Sequence, residues 1–273
     1  MNLATYLSRR QSLVNKTLEK LLPPAGEFPS VIHRAMRYSV LGEGKRIRPI
    51  LTLASCEAVG GKLSLVLPAA CALELIHAYS LVHDDLPSLD NDDFRRGKPS
   101  CHKQFGEAMG VLTGDALLTL SFELLTRGNH NSSVRLKVIQ EVAKAIGTQG
   151  MIGGQVVDVG VANGQPRPKV VEYINTRKTG ALIGACVRVG ALLAEAHPTA
   201  YRALALYGDR VGLVFQLVDD ILDEDGSVRI FGSHAIRQRA ERLTRSAVAT
   251  LELLGSRAQP LRTLARFILT RDS

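Results

Sequence analysis

Tryptophan is absent from these 273 residues and aromatic residues make up only 5%. A chain so poor in rings has no platform on which bases could stack. Its basic residues are scattered rather than gathered in a stripe, so the net charge of +8 does not mark a nucleic-acid binder. Cysteine is also scarce. Cys56, Cys71, Cys101 and Cys186 are far apart with no CxxC spacing, which excludes a disulfide framework. They read as reduced, mostly core thiols of a cytoplasmic protein. The adjacent pair Cys101-His102 falls short of the four ligands a structural zinc takes. No stretch reaches ~18 uncharged apolar residues, so no membrane span is expected. The best candidate, "GALIGACVRVGALLAEA", is interrupted by Arg188. The N-terminal "MNLATYLSRRQSLVNK" lacks the apolar core of a signal peptide. There is no recognisable Ser-His-Asp or Cys-His arrangement, hence no obvious side-chain nucleophile. Small anionic substrates fit the charge at least as well as any polymer.

What is present is helical periodicity. In "AACALELIHAYSLVHDD" the residues Ala72, Leu75, Ile76, Tyr79 and Val82 recur at three- and four-residue steps. "GDALLTLSFELLTRG", "PKVVEYINTRKTGALIGACVRVGALLAEA" and "TAYRALALYGDRVGLVFQLVDDILDED" read the same way. Pro29, Pro49, Pro68, Pro168 and Pro198 stand where helices would start, and Gly42, Gly60, Gly128 and Gly164 where they would stop. The pattern predicts about ten helices, no convincing strand, and one all-α domain over 1–273, larger than a four-helix bundle. Several helices are apolar all round, which predicts central helices wrapped by others.

Two apolar helices end in acid. The first supplies Asp84, Asp85 and Asp90, a DDxxxxD pattern within "LVHDDLPSLDNDDFRRGKP". The second, "FQLVDDILDED", supplies Asp219, Asp220 and Asp223, a DDxxD pattern. Asp219 and Asp223 are one turn apart, and Gln216 is expected to join their face. Pro87 breaks the first helix, so Asp90 must return by a loop. Two carboxylates ~5 Å apart at an effective dielectric of about 20 repel by roughly 3 kcal/mol. The helix dipole disfavours anions at a C-terminus as well. An all-oxygen donor set without His or Cys suits Mg²⁺ shared with substrate phosphates. An EF-hand calcium loop fails, because no start point gives both Gly at position six and Glu at twelve.

The cations complement this. "GEGKRIRP" supplies Lys45, Arg46 and Arg48 just before Pro49 opens a helix, a natural phosphate cradle. "RRGKP" places Arg95 and Arg96 soon after Asp90; "NTRKTG" adds Lys178 and Thr179; His77 lies two turns before Asp84. Each alone reads as surface charge or core. Together with two acidic clusters they describe a cavity for two diphosphates.

At these residues the chain resembles the trans-isoprenyl diphosphate synthases, most closely the bacterial farnesyl diphosphate synthase type. The matching stretches are "GKRIRP", "LIHAYSLVHDDLPSLDNDDFRRGKPSCH", "GDALL", "GGQVVDV", "KTGALI" and "GLVFQLVDDILD", in order from about residue 30 to Asp223. The resemblance implies an isoprenoid-synthase-type bundle around a central cavity, with two aspartate-rich helices facing each other, usually as a homodimer. It implies that Asp84 and Asp90, with Asp85 close by, hold Mg²⁺ on one side, and that Asp219 holds it from the other, with Asp220 and Asp223 supporting it. Arg95, Lys178 and Thr179 would contact the allylic diphosphate, and Gln216 would sit beside the reacting centre. Lys45, Arg48, His77 and Arg96 would bind isopentenyl diphosphate. The implied chemistry is ionisation of an allylic diphosphate (dimethylallyl or geranyl) and capture of the carbocation by isopentenyl diphosphate. Tyr79 and Ser80, five and four residues before Asp84, would govern product length. Tyr79 lies ~7.5 Å down the helix axis, where a ring could stop the tail at the farnesyl length; it could equally be packed core. The geranylgeranyl type and a non-catalytic partner subunit stand as alternatives. A terpene cyclase would not need the second diphosphate site.

After Asp223 the resemblance fails. The family continues with a Gly-Lys segment, another Asp and a Gly-Lys-x-Thr-x-Pro run; here "EDGSVRIFGSHAIRQRAERL" runs almost directly into a helix, and no lysine follows Lys178. A chain without that segment is expected to leave the site open to water and to turn over weakly or not at all.

Overall fold

The computed structural model describes residues 2–161 and 167–271. The helical reading holds, and the fold is all-α. Fourteen α-helices form among the described residues against the ten or so expected, the surplus being short pieces such as Cys101–Phe105 and Ser227–Phe231. Pro168 and Pro198 open their helices as expected. Pro68 does not: its helix begins five residues earlier, at Leu63, because the apolar pattern extends back through "LSLVL". Gly60 and Gly128 follow helix ends with φ of +79° and +106°; Gly164 lies outside the described residues.

The chain divides into two compact units, 7–50 with 67–129, and 1–6 with 51–66 and 130–273. The first is built on α1 (Leu3–Leu21), α2 (Ser30–Val40), the start of α3 (Ile47–Ala58), α4 (Leu63–Asp84), α5 (Cys101–Phe105) and α6 (Glu107–Thr126). Val14, Leu18, Ala35, Met36 and Leu117 are buried there. Between α4 and α5 the segment read as loop closes into a hairpin, Phe94–Arg95 against Lys98–Pro99. Its two-residue turn is Arg96-Gly97, with φ of 53° and 73°, the positive values a tight hairpin requires. Strands of two residues are too short for alternation to reveal.

In the other unit α7 (Ser132–Ile146), α8 (Met151–Val161) and α9 (Pro168–Ile174) precede a π-helical turn at Asn175–Gly180. Then come α10 (Ala181–Leu193), α11 (Pro198–Leu222), α12 (Ser227–Phe231), α13 (Ser233–Thr250) and α14 (Gln259–Thr270). Ten of the thirteen α10 residues are buried, so this is a central helix of the expected kind. It packs on α7 and α11, and α11 packs in turn on α13 and α14.

Against the expectation of none, α4 and α6 are each long and apolar enough to cross a membrane by length and composition. For α4 packing accounts for the composition, since 67% of its apolar window is buried in the fold. All four cysteines are free and buried, and burial pushes Cys56 and Cys71 up to about 11 and about 12.

Candidate active site

Helix α4 delivers the first acidic cluster. Its apolar body (Ala72, Leu75 and Ile76 are fully buried) fixes the direction in which the polar end emerges. The helix tightens at Leu86, whose N–H bonds the His83 carbonyl at 3.1 Å, and Pro87 has no N–H to continue it. The chain then turns back, so that the Asp90 N–H donates to the Asp84 carbonyl at 2.9 Å. The loop return expected of Asp90 is thus what forms. Asp85 is buried and accepts from Arg95, whose Nε lies 2.9 Å from Oδ1 and whose Nη2 reaches the same oxygen. Arg95 also donates to Asp92 at 3.0 Å. Burial raises the Asp85 pKa, and the Arg95 hydrogen bond and charge oppose the rise. Asp84 is partly buried and Asp90 exposed. Tyr79 is 5% exposed, meets His83 edge-on at 5.8 Å, and is pushed up to about 12 by burial and by the Asp84 charge. Ser80 donates to the His77 carbonyl at 2.9 Å.

The cations of this unit lie nearby. Lys45 is exposed and Arg48 partly buried at the opening of α3. The hairpin turn carries Arg96, which donates to the Glu43 carbonyl at 2.7 Å. Arg46, His77, Asp85, Arg95 and Arg96 are among the residues that line one small cavity. Burial first, and then the charges of Arg48, Arg96, Arg46 and Arg95, hold the His77 pKa well below its usual value. His77 is therefore neutral at pH 7 and offers one N–H, not a positive charge.

The second cluster is on α11. Its buried stripe, Val211, Val214, Leu217 and Val218, sets which aspartate points in. Asp220 is 5% exposed and accepts three hydrogen bonds, each 2.9 Å, from Asn175 Nδ2, the Ser227 N–H and Gln216 Nε2. Gln216 thus serves Asp220, four residues on, rather than joining Asp219 and Asp223. Thr179 donates to Gln216 Oε1 at 2.5 Å, and Lys178 Nζ lies 2.6 Å from Asp158 Oδ2. Lys178 and Thr179 belong to the π-turn, a distortion frequent at functional sites. The same turn aims Asn175 at Asp220. Asp219 pairs with Arg271, which also bonds the Phe215 carbonyl at 3.0 Å and lies 3.8 Å above the Phe215 ring. Asp223 is exposed.

The two clusters share one division of labour. In each, the second aspartate is buried and hydrogen-bonded within its own unit, the first is partly buried, and the third is exposed. Asp85 and Asp220 are thus held by hydrogen bonds within their own units, whereas Asp90 and Asp223 are exposed. Among the described residues no three His, Cys, Asp or Glu groups gather into a ready metal cage. The donors that remain are carboxylate oxygens alone, the chemistry Mg²⁺ accepts when phosphate and water complete its shell. The residues fit that ion. Sequence reasoning gives no role to Glu74, Asp158, Asn175, Ser227 or Arg271. Glu74 carries a signal, as the one acid in the apolar body of α4 before Asp84 at its end; Arg271, 52 residues beyond Asp219, carries none.

Each unit thus ends an apolar helix in an aspartate cluster with cations close by, a donor set of the kind that suits hard cations. The chain belongs to the polyprenyl synthetase family, whose profile matches residues 29–244. It is 39% identical over 294 aligned positions to the geranylgeranyl diphosphate synthase of Cyanophora paradoxa, covering 100% of this chain and 97% of that one. It is 40% identical to a dimethylallyltranstransferase of Fischerella ambigua, covering 99% and 84%. The crystal structure of an FPP/GFPP synthase from Zymomonas mobilis superposes with a TM-score of 0.93 at 36% identity, covering 98% and 99%. The chain is a short-chain trans-prenyltransferase. The 294 aligned positions exceed its 273 residues, so at least 21 positions of the Cyanophora protein have no counterpart here.

Proposed function

We propose that the enzyme condenses isopentenyl diphosphate with dimethylallyl or geranyl diphosphate and stops at farnesyl diphosphate, with Mg²⁺ as cofactor. The observation that carries the product length is Tyr79. Its ring is packed and 5% exposed, close enough to Asp84 to feel its charge, on the helix that ends in the first cluster. A rigid ring there limits the depth available to a growing tail. Tyr79→Met is expected to lengthen the major product by one or more five-carbon units, read by chromatography of the dephosphorylated alcohols. Farnesyl from both proteins would defeat the Tyr79 reading. Geranylgeranyl from the unaltered chain would favour the second reading, which the name of the Cyanophora relative supports.

In this reading Asp84 and Asp90, and likewise Asp219 and Asp223, would hold Mg²⁺ that binds diphosphate. Bound Mg²⁺ would supply Lewis-acid stabilisation of the departing diphosphate. Arg95, still bonded to Asp85, and Lys178, released from Asp158, would each add positive charge for diphosphate oxygens. The Thr179 hydroxyl, oriented by Gln216, presents its lone pairs toward the electron-poor allylic carbon. Lys45, Arg48, Arg96 and neutral His77 hold the isopentenyl diphosphate. The allylic C–O bond breaks, the isopentenyl double bond forms the new C–C bond, and the proton lost leaves with the released diphosphate. The four buried free thiols suit a reducing compartment, and we place the reaction in the cytoplasm.

Helix α6 supports a homodimer. Ala108, Val111, Leu112 and Thr119 recur on one exposed face, with Asp115 among them and Glu107 and Glu123 at its two ends. A near-apolar stripe of this kind fits a second copy of itself across a two-fold axis. Leu112→Glu is expected to halve the mass seen by light scattering. A monomeric parent protein would remove the proposal.

A further inference from the structure

We infer that Arg46 is a positioning residue: clamped by Glu74, it fixes the loop that presents Lys45 and Arg48 to isopentenyl diphosphate. The inference rests on the reading of Lys45 and Arg48 as diphosphate ligands, and gives a task to an ion pair which that reading leaves idle.

The Arg46 and Glu74 side chains are 2% and 5% exposed and meet at 2.8 Å. Every other guanidinium nitrogen of Arg46 is also used. Nε donates to Asn15 Oδ1 at 2.8 Å, and Nη2 to the carbonyls of Val40 at 2.8 Å and Gly42 at 2.7 Å. One planar fork thus ties α1, the end of α2, the 41–46 loop and α4 together. The loop is pinned at two further carbonyls, Glu43 by Arg96 at 2.7 Å and Gly44 by Gln11 at 2.8 Å. Gly44 is crowded by both arginines: a Cβ there would lie 2.9 Å from Arg46 Nη1 and 2.9 Å from Arg96 Nη1. Arg46 itself holds φ at 54°, a left-handed value that a non-glycine residue keeps only when its surroundings insist on it.

The charge logic separates Arg46 from its neighbours. Its carboxylate partner is buried with it, so the pair is neutral as a unit and Arg46 is not a phosphate ligand. Lys45 is exposed on one side of it, and Arg48 lies two residues on at the opening of α3. Glu74 is three residues before His77 on α4, so the same clamp fixes the loop against the helix that carries His77. Misplacing a binding group by an ångström weakens what it holds without changing its chemistry.

The test measures steady-state kinetics and thermal midpoints of four variants: Arg46→Lys, Glu74→Gln, Arg46→Met, and Arg46→Met with Glu74→Met. Arg46→Lys keeps the charge and loses the fork. We expect the KM for isopentenyl diphosphate to rise about tenfold or more in all four. The allylic KM and kcat should stay within about threefold. The single Met variant leaves Glu74 buried and uncompensated and should melt lower; the double Met variant removes that charge and should recover the midpoint. Its KM should nevertheless stay raised, because the loop remains unpinned, and amide hydrogen exchange over 41–46 should quicken. A KM for isopentenyl diphosphate that returns to normal with the midpoint, or an unchanged one in Arg46→Lys and Glu74→Gln, overturns the inference. Lys45→Ala and Arg48→Ala are the controls. If they raise that KM while the Arg46 variants do not, only the positioning role fails. If they leave it unmoved, the binding reading fails and the inference falls with it.

Discussion

Inserting the family's lysine-bearing segment after Asp223 is expected to raise kcat by about 10²–10³, the worth of one preorganised donor at a departing charge. In this chain α11 ends at Leu222 and a single turn leads into the five-residue helix Ser227–Phe231 and then α13. Nothing in that passage replaces a lysine. Arg229 is the nearest cation, yet its side chain is 72% exposed and pairs with Asp225 at 3.0 Å, an ordinary surface contact one turn away. Arginine would be a poor substitute for the compact ammonium in any case. The alignment with the Cyanophora synthase leaves at least 21 of that protein's positions unmatched, which is ample for such a segment. The comparison is between the chain as it stands and the same chain carrying the segment of that relative, assayed with Mg²⁺, geranyl diphosphate and isopentenyl diphosphate. Product length should not change, because Tyr79 is untouched. Equal kcat values for the two proteins would show that the segment is dispensable here.

The sequence was read correctly wherever a local rule sufficed. Apolar residues at three- and four-residue steps gave the helices, and Pro87 between acids gave the returning loop at Asp90. Errors arose where the deciding partner is distant. Proline is tolerated best in the first turn, which points to a helix start at Pro68, but packing carries α4 past it. The partners of the second aspartate in each pair could not be seen, since Arg95 for Asp85 and Asn175 and Ser227 for Asp220 are brought up by other segments. Lys178 and Thr179 were placed in a helix, but no sequence signal marks that helix as π-wound. Arg46 was grouped with Lys45 and Arg48 as phosphate-binding charge, and only the buried Glu74 shows that its duty is different.

The contrast between first and second aspartate predicts opposite phenotypes for neighbouring residues, Asp219→Asn and Asp220→Asn. Asparagine at 219 keeps an oxygen for Arg271 and keeps the shape, and the pair it weakens is partly solvated at Asp219, so the thermal midpoint should fall less than at 220. It removes the negative charge that a divalent ion needs, and kcat should fall by about 10²–10³. Asparagine at 220 turns an NH₂ toward groups that are themselves donors: Asn175 Nδ2 and the Ser227 N–H share one Asp220 oxygen, and Gln216 Nε2 uses the other. At least one buried donor then loses its acceptor, at about 1–3 kcal/mol. At about 2–4 °C per kcal/mol for a chain of this order of size, the midpoint should drop measurably. Turnover should fall less than at 219, through the loosened Gln216 and Thr179. Calorimetric titration with Mg²⁺ and inorganic diphosphate separates the two cases without turnover: Asp219→Asn should lose metal-dependent binding and Asp220→Asn should retain most of it. Equal losses of binding at both positions, with no difference in midpoint, would mean that both carboxylates ligate and that the three donors around Asp220 yield when the metal arrives.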